Sequence, residues 1–320
     1  MKVLILGATG HIGGRLAQML EAQADTEVVR ASRSQPAGAH GVQVDTMDDA
    51  GLSRALQGMD AVINCVAGSA DSIAQGAQAL ARAAAATGSR IVHMSTMSVY
   101  GRAQGSVRED APFDPGLGWY ARAKCEAEAH MAAFVQQGGE CVVLRPGCVG
   151  GPGSELWVGR VGRWLRAHRL GDLGAVADGW TNLVHVDDVC RAVIASLRLP
   201  LQPGRLEAFN LAAADSPRWN GYFVDLALAI GAAPVRRLTA RRLTLDAMLL
   251  GPPLKVTERL AAKLHFDLGA LPDAMPPALV RFWGQQIWLD STAAERALGL
   301  HFTSYADQLQ DSAQWFRTQR

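Results

Sequence analysis

Tyr120 and Lys124 stand four residues apart in the run Tyr120-Ala121-Arg122-Ala123-Lys124. On a helix this spacing puts the phenol and the ammonium on one side. A nearby ammonium favours the phenolate and draws the tyrosine pKa down towards neutrality. Such a phenol can exchange a proton with an alcohol–carbonyl pair. The same pair also occurs on ordinary surface helices, so it needs support from elsewhere. One support is the hydroxyl-rich turn Ser95-Thr96-Met97-Ser98-Val99-Tyr100-Gly101, which follows the apolar run Ile91–Met94. The carboxyl end of a buried strand is where ligands bind in open α/β sheets.

A second support is Gly7-Ala8-Thr9-Gly10-His11-Ile12-Gly13, which follows the apolar run Val3–Leu6 and opens a helical pattern. The spacing G-x-x-G-x-x-G is a variant of the dinucleotide fingerprint. Gly7 permits the tight turn, Gly10 the approach of a pyrophosphate, and Gly13 the close packing of helix on strand. Thr9, His11 and Ile12 fill the loop between them, and the phosphate charge meets the positive end of the helix. An NAD site calls for Asp or Glu at the end of the second strand, on the ribose 2′-hydroxyl. Here Ser32 and Arg33 occupy that place. A guanidinium can clamp a 2′-phosphate, so NADP is favoured over NAD. Asp45, after the third strand, can meet an adenine edge or serve as a plain loop aspartate. Ala67, just past the apolar run Ala61–Val66, completes the expected cofactor wall.

The elements that must carry these residues alternate. Strands are predicted at Val3–Leu6, Glu27–Ala31, Ala61–Val66, Ile91–Met94 and Cys141–Leu144, and helices over about His11–Gln23, Ile73–Ala86 and Tyr120–Gln137. This alternation implies right-handed βαβ units and a doubly wound parallel sheet, an α/β Rossmann fold. Beyond residue 150 the pattern breaks at Gly150–Gly153, and only Leu183–Leu197 reads again as strand and helix. The expected organisation is a dinucleotide-binding domain over 1–150, a return to it at 181–213, and a smaller substrate-binding lobe making up most of 151–320.

Composition narrows the partners. The 320 residues carry 31 Lys+Arg and 30 Asp+Glu, a formal net charge of +1. That balance lacks the broad basic footprint of a nucleic-acid binder. No apolar run of about 18 residues exists to span a membrane. The five cysteines (Cys65, Cys125, Cys141, Cys148 and Cys190) are widely spaced and form no C-x-x-C, which fits a reducing cytoplasm rather than a disulfide framework or a zinc site. No histidine spacing reads as a metal site. His185 and Asp187 would share one side of a strand, but Asp188 would not, so this segment is read as structural.

With these pieces in order, the chain resembles the extended short-chain dehydrogenase/reductase family, the epimerase/dehydratase-like group. The matching segments are GATGHIGG (7–14), MSTMSVYG (94–101), YARAK (120–124), LRPGCVGGPG (about 143–153) and NLVHVDDVCRAV (about 182–193). Trp288–Arg320 also looks like the family's closing segment. The resemblance implies that Thr96 holds the substrate oxygen, Tyr120 exchanges the proton, Lys124 bonds the nicotinamide ribose and tunes Tyr120, and Pro146 lines the nicotinamide. Ser95 and Ser98 are weaker candidates for the hydroxyl. It also raises a homodimer built on the helices 73–86 and 120–137, which could equally pack internally.

The departures matter too. Dehydratases of the group carry Asp-Glu after the catalytic threonine, where this chain has Met97-Ser98. Nucleotide-sugar epimerases usually have an Asn after the Arg-Pro strand and an Arg before the HVDD-type segment. Here Gly147-Cys148 and Thr181-Asn182 stand instead. The expectation is an NADP-dependent reductase or dehydrogenase interconverting a small, apolar ketone or aldehyde and its alcohol. A sugar or nucleotide-sugar epimerase and a non-catalytic NADP-sensing protein are the alternatives. Leu156-Trp157-Val158, Trp164, Trp180, Met248-Leu249-Leu250 and Phe282-Trp283 could line an apolar pocket or form the lobe's own core. Arg236-Arg237 and Arg241-Arg242 could hold an anion or form a solvated face. Cys148 is either a substrate contact or a small core residue.

Overall fold

In the computed structural model the described residues are 1–34, 41–245, 248–249, 253–254, 257 and 273–319. The chain forms two compact units. The first comprises Met1–Gly147, Val184–Ala212 and Leu289–Phe302, and the second Cys148–Leu183, Ala213–Trp288 and Thr303–Arg320.

The first unit is built on seven parallel strands: β1 (Lys2–Leu6), β2 (Glu27–Ser32), β3 (Gly41–Gln43), β4 (Ala61–Asn64), β5 (Arg90–Met94), β6 (Cys141–Pro146) and β7 (Glu207–Leu211). Their order in the sheet is β7-β6-β5-β4-β1-β2-β3. The sequence order therefore reverses at β1, which pairs with β2 on one side and β4 on the other. Ligands bind beyond the carboxyl ends of the strands at such a reversal. The central strands are buried on both faces, as their unbroken apolar runs require: Val3, Leu4, Ile5, Val62, Ile63, Ile91, Val92, Val142 and Val143 are all fully covered.

Helices α1 (His11–Glu21), α2 (Asp49–Ala55), α3 (Ala70–Thr87), α4 (Trp119–Gln136) and α5 (Val186–Ser196) complete the layers of this unit. α3 and α4 pack on each other and on the sheet. Their alanines make this close approach possible: Ala77, Ala83, Ala84, Ala123 and Ala127 all lie in the shared core. Local signals fix the ends. Ser69 caps α3 by accepting from the Ser72 amide, and Gly88 closes the helix in the left-handed conformation. β4 ends two residues short of its predicted limit because the Asn64 side chain accepts from the Val66 amide at 3.1 Å.

Within 151–320, read as mainly the C-terminal lobe, residues 289–302 cluster with the first unit. They satisfy backbone at the end of β7: Ser291 Oγ accepts from the Ala212 amide at 2.9 Å, and the Asp290 carbonyl accepts from Asn210 Nδ2 at 3.4 Å. The HVDD segment also differs from its strand reading. His185 ends a short strand and caps α5, its Nδ1 accepting from the Asp187 amide at 3.2 Å, so Asp187 stands in the first helical turn. There it pairs with Arg15 of α1.

The second unit has its own core of Trp164, Trp219, Tyr222, Phe223, Trp283 and neighbouring aliphatics. Val158 and Cys148 are buried in it, which makes Cys148 a core residue. Trp157 and Phe282 stack at 5.3 Å on its margin. The guanidinium of Arg218 sits 4.5 Å from the Trp180 ring. Leu156, Met248 and Leu249 are exposed, as are Arg236, Arg237, Arg241 and Arg242. Leu250 lies outside the described residues. Among the described residues no helix is long and apolar enough to cross a membrane.

One of the tight points of the fold is at the first loop. A Cβ on Gly13 would come within 2.3 Å of the Gly7 carbonyl oxygen. Gly13→Ala therefore has to push α1 off the β1 turn. It is expected to lower the unfolding free energy by roughly 1–3 kcal/mol, read from urea denaturation.

Candidate functional site

A cleft of about 170 Å³ opens at the carboxyl ends of β1, β2 and β4. Gly7, Thr9, Gly10, Ser32, Arg33 and Ala67 all line it, so six of the expected cofactor residues meet in one place. Gly7 has φ +80°, and a Cβ there would meet the Cys65 carbonyl oxygen at 2.9 Å. The backbone is thus bare at the point where a pyrophosphate would approach. His11, Ile12 and Gly13 follow as the first turn of α1, at the end of the helix whose dipole favours an anion.

At the far side of the cleft, the Gln43 amide donates to the Arg33 carbonyl at 2.8 Å and fixes that backbone while the guanidinium stays exposed. Ser32 donates to the Ser34 carbonyl, a local turn contact. No carboxylate is among the described lining residues. Asp45 does not line the cleft. Its carboxylate accepts from the Met47 amide at 3.0 Å, the role of a loop aspartate, while its neighbours Val44 and Thr46 form the wall. Thr46, Cys65, Val66 and Ser72 are lining residues that the sequence reading missed. Their signal was positional: each stands just past a strand or in the first turn of a helix.

The second group of residues lies on α4 and the end of β5. Thr96 caps the 3₁₀ turn Met97–Tyr100, its hydroxyl accepting from the Ser98 amide at 3.2 Å. The same hydroxyl donates to Ser98 Oγ at 3.3 Å and lies near enough to Tyr120 to act on its phenol. Ser95 is not available to a substrate, because it donates to Glu128 in the interior. Lys124 is buried and donates to the Met94 carbonyl at 2.6 Å and to the Val66 carbonyl at 3.5 Å. Since Val66 also lines the cleft, Lys124 links the two groups. Pro146 ends β6 beside Leu211 of β7.

The electrostatics differ from the expectation for Tyr120. Burial pushes its phenol above the ordinary value of 10, and the hydrogen bond with Thr96 opposes this. The ammonium of Lys124 is spent on two backbone carbonyls, so burial governs the phenol. Lys124 itself is lowered from 10.5 to about 8, mainly by burial, with Cys65 and Glu128 acting the other way. Burial likewise lifts the Cys65 thiol to about 12, against the pull of Lys124. All five cysteines are free thiols. Among the described residues no group of His, Cys, Asp or Glu is arranged to hold a metal ion.

Residues 3–212, about two thirds of the chain, match the NAD dependent epimerase/dehydratase family. The chain belongs to that family. It is therefore an NAD(P)-dependent enzyme of the extended short-chain dehydrogenase/reductase type, an oxidoreductase or an epimerase. It is 33% identical over 215 residues to the dTDP-4-dehydrorhamnose reductase of Mycobacterium tuberculosis, covering 61% of this chain and 65% of the relative. The chain thus spans just under two thirds of that relative's length. It is 28% identical over 331 residues to the 2-alkyl-3-oxoalkanoate reductase of Stenotrophomonas maltophilia, covering 93% of this chain and 94% of the relative. Its fold is shared with the UDP-glucuronic acid 4-epimerase of Bacillus cereus, solved with UDP-glucuronic acid and NAD, at a TM-score of 0.73, 19% identity and 99% coverage of both chains.

The lowered Lys124 has a consequence for this enzyme's stability. Between pH 8 and 10.5 the unfolded chain keeps a proton that folded Lys124 has lost, so this group's contribution rises with pH across that window and falls as pH drops through 8. The difference in unfolding free energy between the parent chain and Lys124→Met, measured by urea denaturation, is expected to shift in favour of the parent from pH 7.5 to 10.5. A flat difference would mean that the ammonium is not desolvated.

Proposed function

We propose that this enzyme is an NADPH-dependent reductase of a small, apolar ketone or aldehyde. The observation that carries the reading is a phenol, Tyr120, that burial keeps in its protonated form, with the Thr96 hydroxyl acting on it. A protonated phenol is a proton donor, which is what carbonyl reduction needs.

The nicotinamide, once bound, supplies the hydride to the carbonyl carbon. The chain's own residues do the rest. Thr96 holds and polarises the carbonyl oxygen. Tyr120 gives its Oη proton to that oxygen as the C=O electrons move onto it, leaving a phenolate that solvent reprotonates. Lys124 would hold the nicotinamide ribose, and Pro146 would border the nicotinamide. Gly7, Thr9, Gly10 and the first turn His11-Ile12-Gly13 take the pyrophosphate.

Arg33, with Ser32 beside it and no carboxylate among the described lining residues, supports a 2′-phosphate over a 2′-hydroxyl. The similarity over 93% of the chain to a 2-alkyl-3-oxoalkanoate reductase supports reduction of a ketone on an alkyl chain. The second unit, with its aromatic core, is assigned to substrate recognition.

A panel of 3-oxoalkanoates, simple ketones, aldehydes and dTDP-4-dehydrorhamnose, followed by NADPH absorbance, tests the reading. Turnover of an apolar carbonyl supports it. A dinucleotide carried through purification, with sugar interconversion and no net oxidation, would mark an epimerase instead. Tyr120→Phe is expected to lose on the order of 100-fold or more in kcat while NADPH affinity stays near normal. Arg33→Ala should weaken NADPH binding roughly 10- to 100-fold and leave NADH binding nearly unchanged, since a charge-assisted bond contributes about 1.5–3 kcal/mol. Equal effects on both cofactors would remove Arg33 from the 2′-phosphate.

A further inference from the structure

Three short segments carry the proposed chemistry: Thr96 after β5, Tyr120 and Lys124 on α4, and Pro146 at the end of β6. Each is tied at a neighbouring position into one buried polar network. Ser95, next to Thr96, donates to Glu128. Glu128 stands one turn beyond Lys124 and two beyond Tyr120 on α4. Arg145, next to Pro146, forks onto the Glu128 carboxylate at 2.7, 3.1 and 3.2 Å. Both members of this ion pair are almost fully buried, with side-chain exposures of 5% and 2%.

The other donors of Arg145 are also committed. Nη1 donates to Tyr100 Oη at 2.8 Å and to the Glu109 carbonyl at 2.9 Å. Tyr100 in turn donates to Asn210 Oδ1 on β7 at 2.7 Å, and the Asn210 amide donates to Glu109 at 2.8 Å. The Arg145 guanidinium also lies over the rings of Phe113 and Tyr100, at 4.8 and 5.4 Å.

A buried ion pair is poor evidence of net stability, because desolvation offsets much of the attraction. Its forked geometry, however, permits few arrangements. With Ser95, Glu128 and Arg145 all anchored, a slide of α4 along the sheet or a shift of the β5 turn leaves a buried charge short of a partner. An apolar contact between α4 and the sheet would tolerate such a slide.

We propose that Glu128 is a positioning residue: its carboxylate, held between Ser95 and Arg145, sets the register of Tyr120 and Lys124 against Thr96 and Pro146. The assignment rests on the reductase reading for the roles of those four residues. Glu128 touches neither substrate nor cofactor in this scheme. Its effect is on the alignment of the proton donor, where a small misplacement costs much of the rate.

The test uses the full chain with NADPH and the most active carbonyl compound of the panel above. Glu128→Gln keeps the shape and removes the charge. Ser95→Ala removes a single link and is the milder variant if Glu128→Gln fails to fold. Glu126→Gln, exposed on the same helix, is the control. Both network variants are expected to bind NADPH within about twofold of the parent chain, with kcat lower on the order of 10- to 100-fold at little-changed KM. The phenol titration of Tyr120, taken as the ultraviolet difference between each protein and its Tyr120→Phe form, is expected to move in the variants and not in the control.

A purely structural role would lower the unfolding midpoint while the folded fraction keeps the parent kcat and titration. Folded variants that keep both overturn the proposal. If the parent chain reduces no carbonyl compound, the reductase reading has failed, and the titration still decides whether Glu128 positions the phenol.

Discussion

At the end of β1 two backbones meet with no room for a side chain between them. β2 and β4 leave β1 on opposite sides, so the turn after β1 must pass directly over the segment that follows β4. Gly7 makes that passage at positive φ against the Cys65 carbonyl, and Gly13 brings α1 down onto the same turn. The cleft exists because of this contact. Gly7 and Gly10, which have no side chains, line it, and α1 begins at the next residue, His11. The parallel register of the sheet then decides what else can reach it, namely the residues just past β2, β3 and β4.

The Tyr120–Lys124 pair shows how burial reverses an argument from spacing. Tyr120 and Lys124 share a helix face as the i, i+4 rule requires. Yet the ammonium is drawn to the carbonyls of Met94 and Val66, at the ends of the strands beneath it. The phenol is left to desolvation and Thr96. In this arrangement a proton donor and a weakened base sit side by side, each shifted towards its neutral form. Chemistry in a dry site is then done by groups that need little solvent rearrangement.

Much of this was legible in the sequence because it depends on short-range pattern. Unbroken apolar runs located the buried strands, glycine spacing located the β1 turn, and the Tyr-Lys spacing located the working face of α4. Side-chain capping was less legible: Asn64 ended β4 early, and His185 turned a strand residue into a helix cap. Least legible was what depends on contacts far apart in the chain. Nothing local to 289–302 announces that it joins the first unit, because its partners at Asn210 and Ala212 lie about eighty residues earlier. Ser95 and Arg145 sit inside family-like segments, yet nothing there or at Glu128 announces that the three meet. Their pairing is a property of the folded sheet, and Ser95 looked like a spare hydroxyl until its partner was in view.

The state of the thiols bears on how the enzyme would be handled and poisoned. Cys65 lines the cleft, a position that in many enzymes invites attack by alkylating agents or peroxides. Reactivity follows the thiolate, and a thiol held near 12 is almost entirely protonated at neutral pH. Burial raises Cys141, Cys148 and Cys190 as well. The same exclusion of water that shapes the cleft therefore gives the chain chemical tolerance. An electrophile that enters the cleft meets a thiol there rather than a ready sulfur nucleophile.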